Sequence, residues 1–355
     1  MLAHSENYEY CGVLHVHSRY SDGSGTPKKI IKIAEKVGLD YIIITDHGTL
    51  QAMEDGAEGW HDDLLVLVGL EVGGYHESHY LAFGIDGTVT PEDEQENIRQ
   101  YIEWVKRRGG IGFAAHPRGL HNTSFDLYLS PWDAWDSPDY TGLEIWSYMR
   151  DWAEDVKQHN ILYYYFRPEK KIDGPSPEIL KRWDQLGQTR RVVGIGGADA
   201  HAHHLMLFNF LKFLSYERVF RGVRTHLFTP SPLSPDLDES KKQVYSALKS
   251  GHCFFAHDSL ADSTGFSFRA FTGEGQTLLM GDEAELKSGA EMEIKSPVPA
   301  SLRLLRNGNL VKRAAGANQL AWKADEPGVY RVEAQRSDEP WVFTNPIYLR
   351  RSIGL

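Results

Sequence analysis

The chain has little cysteine, no long apolar run and no block of like charge. Its two cysteines, Cys11 and Cys253, show no CxxC spacing, so no disulfide framework is implied, although this single pair is not barred from bonding. Nothing approaches the roughly 20 consecutive apolar residues of a membrane-spanning helix, so no membrane partner is expected. The formal net charge is −11 and no basic tract offsets it. That disfavours nonspecific binding to a phosphate backbone, and double-stranded nucleic acid is not an expected partner. An acidic shell still admits an anionic substrate where bound cations dominate the local field. Internal repeats and low-complexity tracts are also missing. Met1 to Tyr10 is polar and has no apolar core, which makes a cytoplasmic location the default expectation. A trimmed signal peptide would leave the same sequence.

What is present is enough chain, at 355 residues, for one large domain and a smaller one. The first two-thirds alternates strand-like and helix-like segments. Gly12-Val13-Leu14 runs into His15. Thr26-Pro27 reads as a helix cap with proline at the first helical position, and Ile30, Ile33, Ala34 and Val37 follow at helical spacing before Gly38. Tyr41 to Ile44 is a buried-strand run, and Leu64 to Leu70 is another. A helix is expected from Pro91, with acidic residues (Glu92, Asp93, Glu94, Glu96) at its start and Lys106, Arg107 and Arg108 at its end, as the helix dipole favours. Ile111 to Ala115 is a further strand, Ser176-Pro177 starts a further helix, and Val192 to Ile195 leads to Asp199. This alternation predicts an α/β architecture with a parallel sheet or barrel.

The pattern changes near Asp258. Short alternating segments follow (Phe266-Ser267-Phe268, Leu302-Arg303-Leu304, Val329 to Val332), separated by turn signals at Asn307-Gly308 and Glu326-Pro327-Gly328. The expectation is a catalytic domain over 1–260 and a small antiparallel β-sandwich domain over 261–355. The second part contains no histidine, so the chemistry belongs to the first.

Metal-ligand residue types follow directly on the apolar runs: His15 and His17, Asp46 and His47, His116, then Asp199 and His201. Glu71 and His79 fit the same scheme. Parallel neighbouring strands would bring all these side chains to one face. His15 and His17 point the same way on a strand, and Asp22 follows in a Ser-Asp-Gly loop. Imidazole and carboxylate donors without thiolate suit zinc, iron or manganese. Clustered divalent ions supply hydroxide near neutral pH and neutralise phosphate oxygens. Asp46 has two readings, orienting a ligand or accepting a proton, and capping the next helix. Arg118 could grip phosphate and His121 could protonate a leaving group, or both are solvated loop residues. His203 and His204 extend the Asp199 motif. The aromatic stretch Trp132 to Tyr165 reads first as core, with stacking on a substrate ring as the lesser reading.

His15-Val16-His17-Ser18 with Tyr20-Ser21-Asp22-Gly23, then Thr45-Asp46-His47, resembles the first two motifs of the polymerase and histidinol phosphatase (PHP) family. Gly69-Leu70-Glu71, Ala115-His116-Pro117 and Gly197-Ala198-Asp199-Ala200-His201 match the later motifs in order. Within the family, the chain is most similar to standalone metal-dependent phosphoesterases, including those with an added C-terminal β domain. The resemblance implies a distorted (βα)7 barrel and a site for two or three divalent ions of zinc, manganese or iron. It implies that His15, His17, Glu71 and Asp199 hold one ion, Glu71, His79 and His116 a second, and Asp22, His47 and His201 a third. The expected activity is hydrolysis of a small phosphorylated molecule by a metal-bound hydroxide, with Asp46, His201, Arg118 and His121 as candidate catalytic groups. The alternatives are a hydrolase of carboxylic esters, carbamates or amides, and a non-catalytic binding module. Oligomeric state is open.

Overall fold

Residues 7–74, 77–88, 97–125, 127–202, 204–205, 208–212 and 214–351 are described by a computed structural model. The first helix, Pro27–Lys36, forms where the sequence places it: the Thr26 side chain accepts from the Lys29 backbone N–H, and Ile30, Ile31 and Ala34 are buried. Gly38 then takes a left-handed φ of 73°, which a glycine adopts without strain. The helix expected from Pro91 is described over Ile98–Arg107. Asn97 caps it in a reciprocal capping box with Gln100, so the first turn carries no acidic residue. Pro91 to Glu96 lie outside the described residues.

Strand Tyr8–Val16 pairs in parallel with Tyr41–Ile44, which pairs in parallel with Leu64–Val68. On its other side it pairs antiparallel with Val223–Thr229, and that strand with Cys253–His257. A second sheet orders Val193–Gly197, Gly142–Ser147, Ile111–Ala114, Tyr80–Phe83 and Leu70–Val72. The first three of these are parallel, whereas Tyr80–Phe83 runs antiparallel to both neighbours. The expectation of an all-parallel alternation therefore fails at this strand. A parallel return needs a crossover of about a dozen residues or more, and the connection from Val72 to Tyr80 is shorter. Isolated bridges between Val16 and Ala200, and between His47 and Glu71, join the two sheets.

After Asp258 the strands are antiparallel, apart from Glu283–Glu285 beside Ile347–Arg350. Ala290–Arg306 and Asn309–Ala324 form the longest hairpin. Asn307 and Gly308 both take positive φ at its turn (51° and 80°), as the favoured two-residue hairpin loop requires. These strands do not form a separately paired unit. Glu339–Thr344 pairs with Cys253–His257, so the C-terminal strands extend the first sheet. Successive side chains on Cys253–His257 alternate between two cores. Phe254 and Ala256 pack with Phe268, Leu302, Val332 and Trp341 of the C-terminal part, and Cys253 packs with Leu14, Ile43 and Ile195. Alternation along one strand thus serves both parts of the fold. Trp132, Trp146, Tyr148 and Trp152 are core residues, whereas Trp135, Tyr164 and Tyr165 are half-buried and Tyr163 is exposed, so the core reading of the aromatic stretch holds for part of it.

Arg331 ties the C-terminal strand Gly328–Arg336 to helix Pro177–Thr189. It donates twice to Asp184 (2.7 and 2.8 Å) and once to Glu333 (2.7 Å), with Arg331 and Asp184 both buried. Removing Asp184 leaves the buried guanidinium with Glu333 as its remaining carboxylate partner and its Nε and Nη2 donors without acceptors. Asp184→Ala is expected to cost about 3–5 kcal/mol in denaturant unfolding, whereas loss of a surface pair would cost under about 1 kcal/mol.

Candidate metal centre

Five strands deliver the predicted residues to one place. His15 and His17 lie at the end of Tyr8–Val16, and His47 follows Tyr41–Ile44. Glu71 sits within Leu70–Val72, His116 just beyond Ile111–Ala114, and Asp199 just beyond Val193–Gly197. His79 is the exception, because it precedes Tyr80–Phe83. That strand is antiparallel to its neighbours, so its beginning meets their ends. Side-chain alternation was expected to align His15 with His17. Both are buried and their ring centroids lie 5.1 Å apart, but the strand is irregular between Val13 and Val16, and His15 has a φ of 63°. His116 (28°) and Asp199 (49°) are also left-handed. Such backbone costs on the order of 1–3 kcal/mol at each position and persists where surrounding structure imposes it.

Glu71 is the hub. Its Oε2 lies 2.9 Å from His15 Nε2, 3.0 Å from His17 Nε2 and 3.6 Å from His47 Nδ1. Its Oε1 lies 2.9 Å from His79 Nδ1 and 3.1 Å from His116 Nε2. Asp199 Oδ1 is 3.4 Å from His15 Nε2 and 3.5 Å from His17 Nε2. Asp22 collects a further set: His201 Nε2 at 3.2 Å, His17 Nδ1 at 3.6 Å and His47 Nε2 at 3.7 Å. The donor atoms of His15, His17, Glu71 and Asp199 lie within 4.8 Å of one another, as do those of His17, Asp22, His47 and His201, and those of His47, Glu71 and His79. His17, His47 and Glu71 are each shared between two of these groups, and His116, the ninth predicted ligand, joins through Glu71 Oε1. The His17 ring lies 4.1 Å from that of His201 and 4.6 Å from that of His47, centroid to centroid.

The electrostatics are those of a site built for cations. Burial opposes a charge on His15, yet Glu144, Glu71 and Asp199 raise its pKa well above the ordinary histidine value. His17, against the same burial, is pushed up to about 9 by Asp199 and Glu71. Burial disfavours the charged forms of Glu71 and Asp199, but the surrounding imidazoles, His15 foremost, hold both well below the carboxylate range. His47 has its pKa lowered to about 4, chiefly by burial. The two ring nitrogens of buried His17 and Nδ1 of His116 have no hydrogen-bond partner. His17 Nε2 is 3.0 Å from Glu71 Oε2 without a hydrogen-bonding angle, whereas His15, His79 and His116 are hydrogen-bonded to Glu71. A cluster of buried nitrogen and oxygen donors with ionised carboxylates and unpartnered imidazole nitrogens is compatible with metal binding.

Sequence reasoning missed Glu144. It lies in the buried strand Gly142–Ser147, accepts from His15 Nδ1 (2.8 Å) and takes the His116 backbone N–H on its other oxygen (2.7 Å). It therefore fixes the tautomer of His15, whose Nε2 faces Glu71, and holds the turn that carries His116. A Cβ on Gly197 would sit 1.8 Å from Glu144 Oε1, so glycine is required beside it. A lone acidic residue in an otherwise apolar strand was the available signal.

Asp46 neither caps the following helix nor stands free. Helix Gln51–Glu54 begins at Leu50 without a side-chain cap. Asp46 Oδ1 accepts from the Ser18 N–H and the Ser21 hydroxyl, and Oδ2 from the Ser18 hydroxyl, each at 2.7 Å. It shapes the loop that presents Asp22. Tyr216, also unpredicted, donates to the His17 carbonyl (2.7 Å) and accepts from the Gly25 N–H (3.1 Å). Arg118 is ion-paired with Glu154, and His121 lies on the hairpin of Leu120–Asn122 with Leu127–Leu129, its ring edge-on to Tyr128. Neither contact involves the cluster. His203 and the side chain of His204 lie outside the described residues.

A family model of the PHP domain matches residues 14–127. The match takes in His15 through His116, while Asp199 and His201 lie beyond it. An uncharacterized protein of Methanocaldococcus jannaschii is 29% identical over 136 residues, covering 33% of this chain and 75% of that one. Among solved structures, a two-domain protein from Bacteroides vulgatus, described as containing a predicted PHP-like metal-dependent phosphoesterase, is 13% identical. It covers 96% of this chain and 95% of its own, with a TM-score of 0.45. Endonuclease Q, solved with a duplex substrate bearing an abasic lesion at its active site, is 12% identical, with a TM-score of 0.36 over 66% of this chain and 56% of that one. Among the described residues, no helix is long and apolar enough to cross a membrane.

Proposed function

We propose that this chain is a metal-dependent hydrolase of phosphate esters. Its divalent ions, zinc, manganese or iron, would be held in two or three positions by His15, His17, Asp22, His47, Glu71, His79, His116, Asp199 and His201. The observation that carries this reading is Glu71, whose two oxygens each approach imidazole nitrogens from different strands within 3.1 Å. Bound divalent ions supply a nucleophilic hydroxide near neutral pH and neutralise phosphoryl oxygens. The chain's own part is to place the donors. Glu71 spans two positions, Asp199 completes the first with His15 and His17, and Asp22 gathers His47 and His201 beside it. His116 and His79 close the Glu71 Oε1 side.

Among the groups around the cluster, Asp46 acts through the Ser18–Ser21 loop. His201, 3.2 Å from Asp22, would assist the leaving group. Arg118 would bind a phosphate oxygen by exchanging Glu154 for substrate, and His121 would reach substrate from its hairpin. The seven strand positions from Tyr8–Val16 through Val193–Gly197, with Leu64–Val68 and Leu70–Val72 taken as one, are read as a distorted barrel closed by the Val16–Ala200 bridge. Residues 261–355 are read as an added β domain on the shared strand Cys253–His257.

The test is hydrolysis of para-nitrophenyl phosphate, bis(para-nitrophenyl) phosphate and para-nitrophenyl acetate by one preparation, before and after chelation and after Mn2+ or Zn2+ is restored. Metal-dependent release from a phosphate ester supports the reading. Metal-dependent release from acetate alone moves the activity to the carboxylic-ester class. A duplex oligonucleotide with an abasic site is added to the panel, and its cleavage would replace the small-molecule substrate with nucleic acid.

A further inference from the structure

A second cluster of ligand-type side chains lies outside the candidate centre. Cys11 and His226 face each other across the antiparallel pair of Tyr8–Val16 and Val223–Thr229. Asp258 joins them from the turn after Cys253–His257. Cys11 Sγ is 3.7 Å from Asp258 Oδ2, and His226 Nε2 is 2.9 Å from the same oxygen. One donor atom from each of the three residues lies within 4.8 Å of the others. Cys11 precedes His15 by four residues on the same strand, which separates the two places by about 13 Å along it.

We propose that Cys11, His226 and Asp258 bind a divalent transition-metal ion, zinc by donor type, as a structural staple joining strands Tyr8–Val16 and Val223–Thr229 to the turn after Cys253–His257. Three features support it. Thiolate, imidazole and carboxylate are the donors of structural and catalytic zinc sites. His226 has the outer partner that metal-bound histidines keep: its Nδ1 is 2.8 Å from Glu9 Oε1, and Glu9 Oε2 is pinned by the Gly265 N–H at 2.8 Å. Its ring also stacks on Phe254 at 4.5 Å between centroids, so Nε2 is aimed at Cys11 and Asp258 without freedom to turn. The Ser263 hydroxyl, buried and 3.1 Å from His226 Nε2, borders the fourth position.

Arg224 Nη1 borders the cluster, 3.9 Å from Cys11 Sγ and 3.8 Å from Asp258 Oδ2. Asp40 accepts the Cys11 backbone N–H at 2.7 Å and fixes that end of the strand.

The test uses cobalt as a spectroscopic zinc substitute in the full chain. None of the nine residues of the candidate centre is a cysteine, so a near-ultraviolet sulfur-to-cobalt charge-transfer band reports this site alone. The expected result is that band in the Co2+-loaded wild-type protein. Cys11→Ser should abolish it and bind one equivalent less zinc, while retaining hydrolysis of whichever ester the wild type cleaves. Asp258→Asn should weaken zinc binding at least tenfold and keep the fold. Absence of the band in folded wild-type protein loaded with excess Co2+, or equal zinc content in wild type and Cys11→Ser, overturns the proposal. The wild-type band needs no variant to fold, and it is independent of whether the other cluster hydrolyses phosphate.

Discussion

Glu71→Gln is expected to lose ester hydrolysis and bound metal together. Both Glu71 oxygens are held ionised among five imidazoles. An amide in the same space offers one oxygen and one N–H2 group, so it cannot be shared as an anion between two cation positions. Outer-shell partners of a metal ligand are worth about 10–100-fold in affinity or activity, and loss of the shared ligand itself should exceed that range. The measurement is kcat on a phosphate ester, paired with metal content by mass spectrometry on the same sample. A near-ultraviolet circular dichroism spectrum like that of wild type establishes that the core is intact. Full activity with full metal in a folded Glu71→Gln protein would remove Glu71 from the centre.

Glu144→Ala is expected to cost about 10–100-fold in metal affinity or kcat, although Glu144 belongs to no motif. The substitution frees the His15 ring to turn and leaves the His116 N–H without its acceptor. Glu144→Gln separates the two contacts, because one amide oxygen can still accept from either His15 or the His116 N–H, but not both. It should fall between wild type and Glu144→Ala. The pH dependence of metal binding distinguishes positioning from mere loss of structure. Glu144 raises the pKa of His15. Without it His15 deprotonates at lower pH, and the onset of metal binding should move down in pH even as the maximum affinity falls.

Most donors were legible because they follow or end an apolar strand, and a strand that ends at a shared face hands its next residues to the site. The parallel pairs around Tyr41–Ile44 and Gly142–Ser147 satisfy that condition. His79 reaches the cluster for a different reason. Its strand runs the other way, and only the short link from Val72 hinted at this. Glu144 left only the signal of an acidic residue in an apolar strand, and Tyr216 left none, since their roles depend on which distant groups they meet. The C-terminal strands were legible as antiparallel β structure from alternation and from the Asn307-Gly308 turn. Their continuation of the first sheet was not, because pairing of Glu339–Thr344 with Cys253–His257 leaves no mark in either segment alone. Asp46 shows the limit of local reading: a residue beside a ligand invited a proton-transfer role, and its oxygens are taken by Ser18 and Ser21.

The most direct test of the account is the metal content of protein purified without chelator or nickel affinity, measured by mass spectrometry beside phosphate-ester hydrolysis on the same sample. The account predicts two or more equivalents of zinc, manganese or iron, with hydrolysis that disappears on chelation and returns with the metal. A folded protein that binds no divalent ion after Mn2+ and Zn2+ are supplied, or one whose hydrolysis survives complete metal removal, would contradict it.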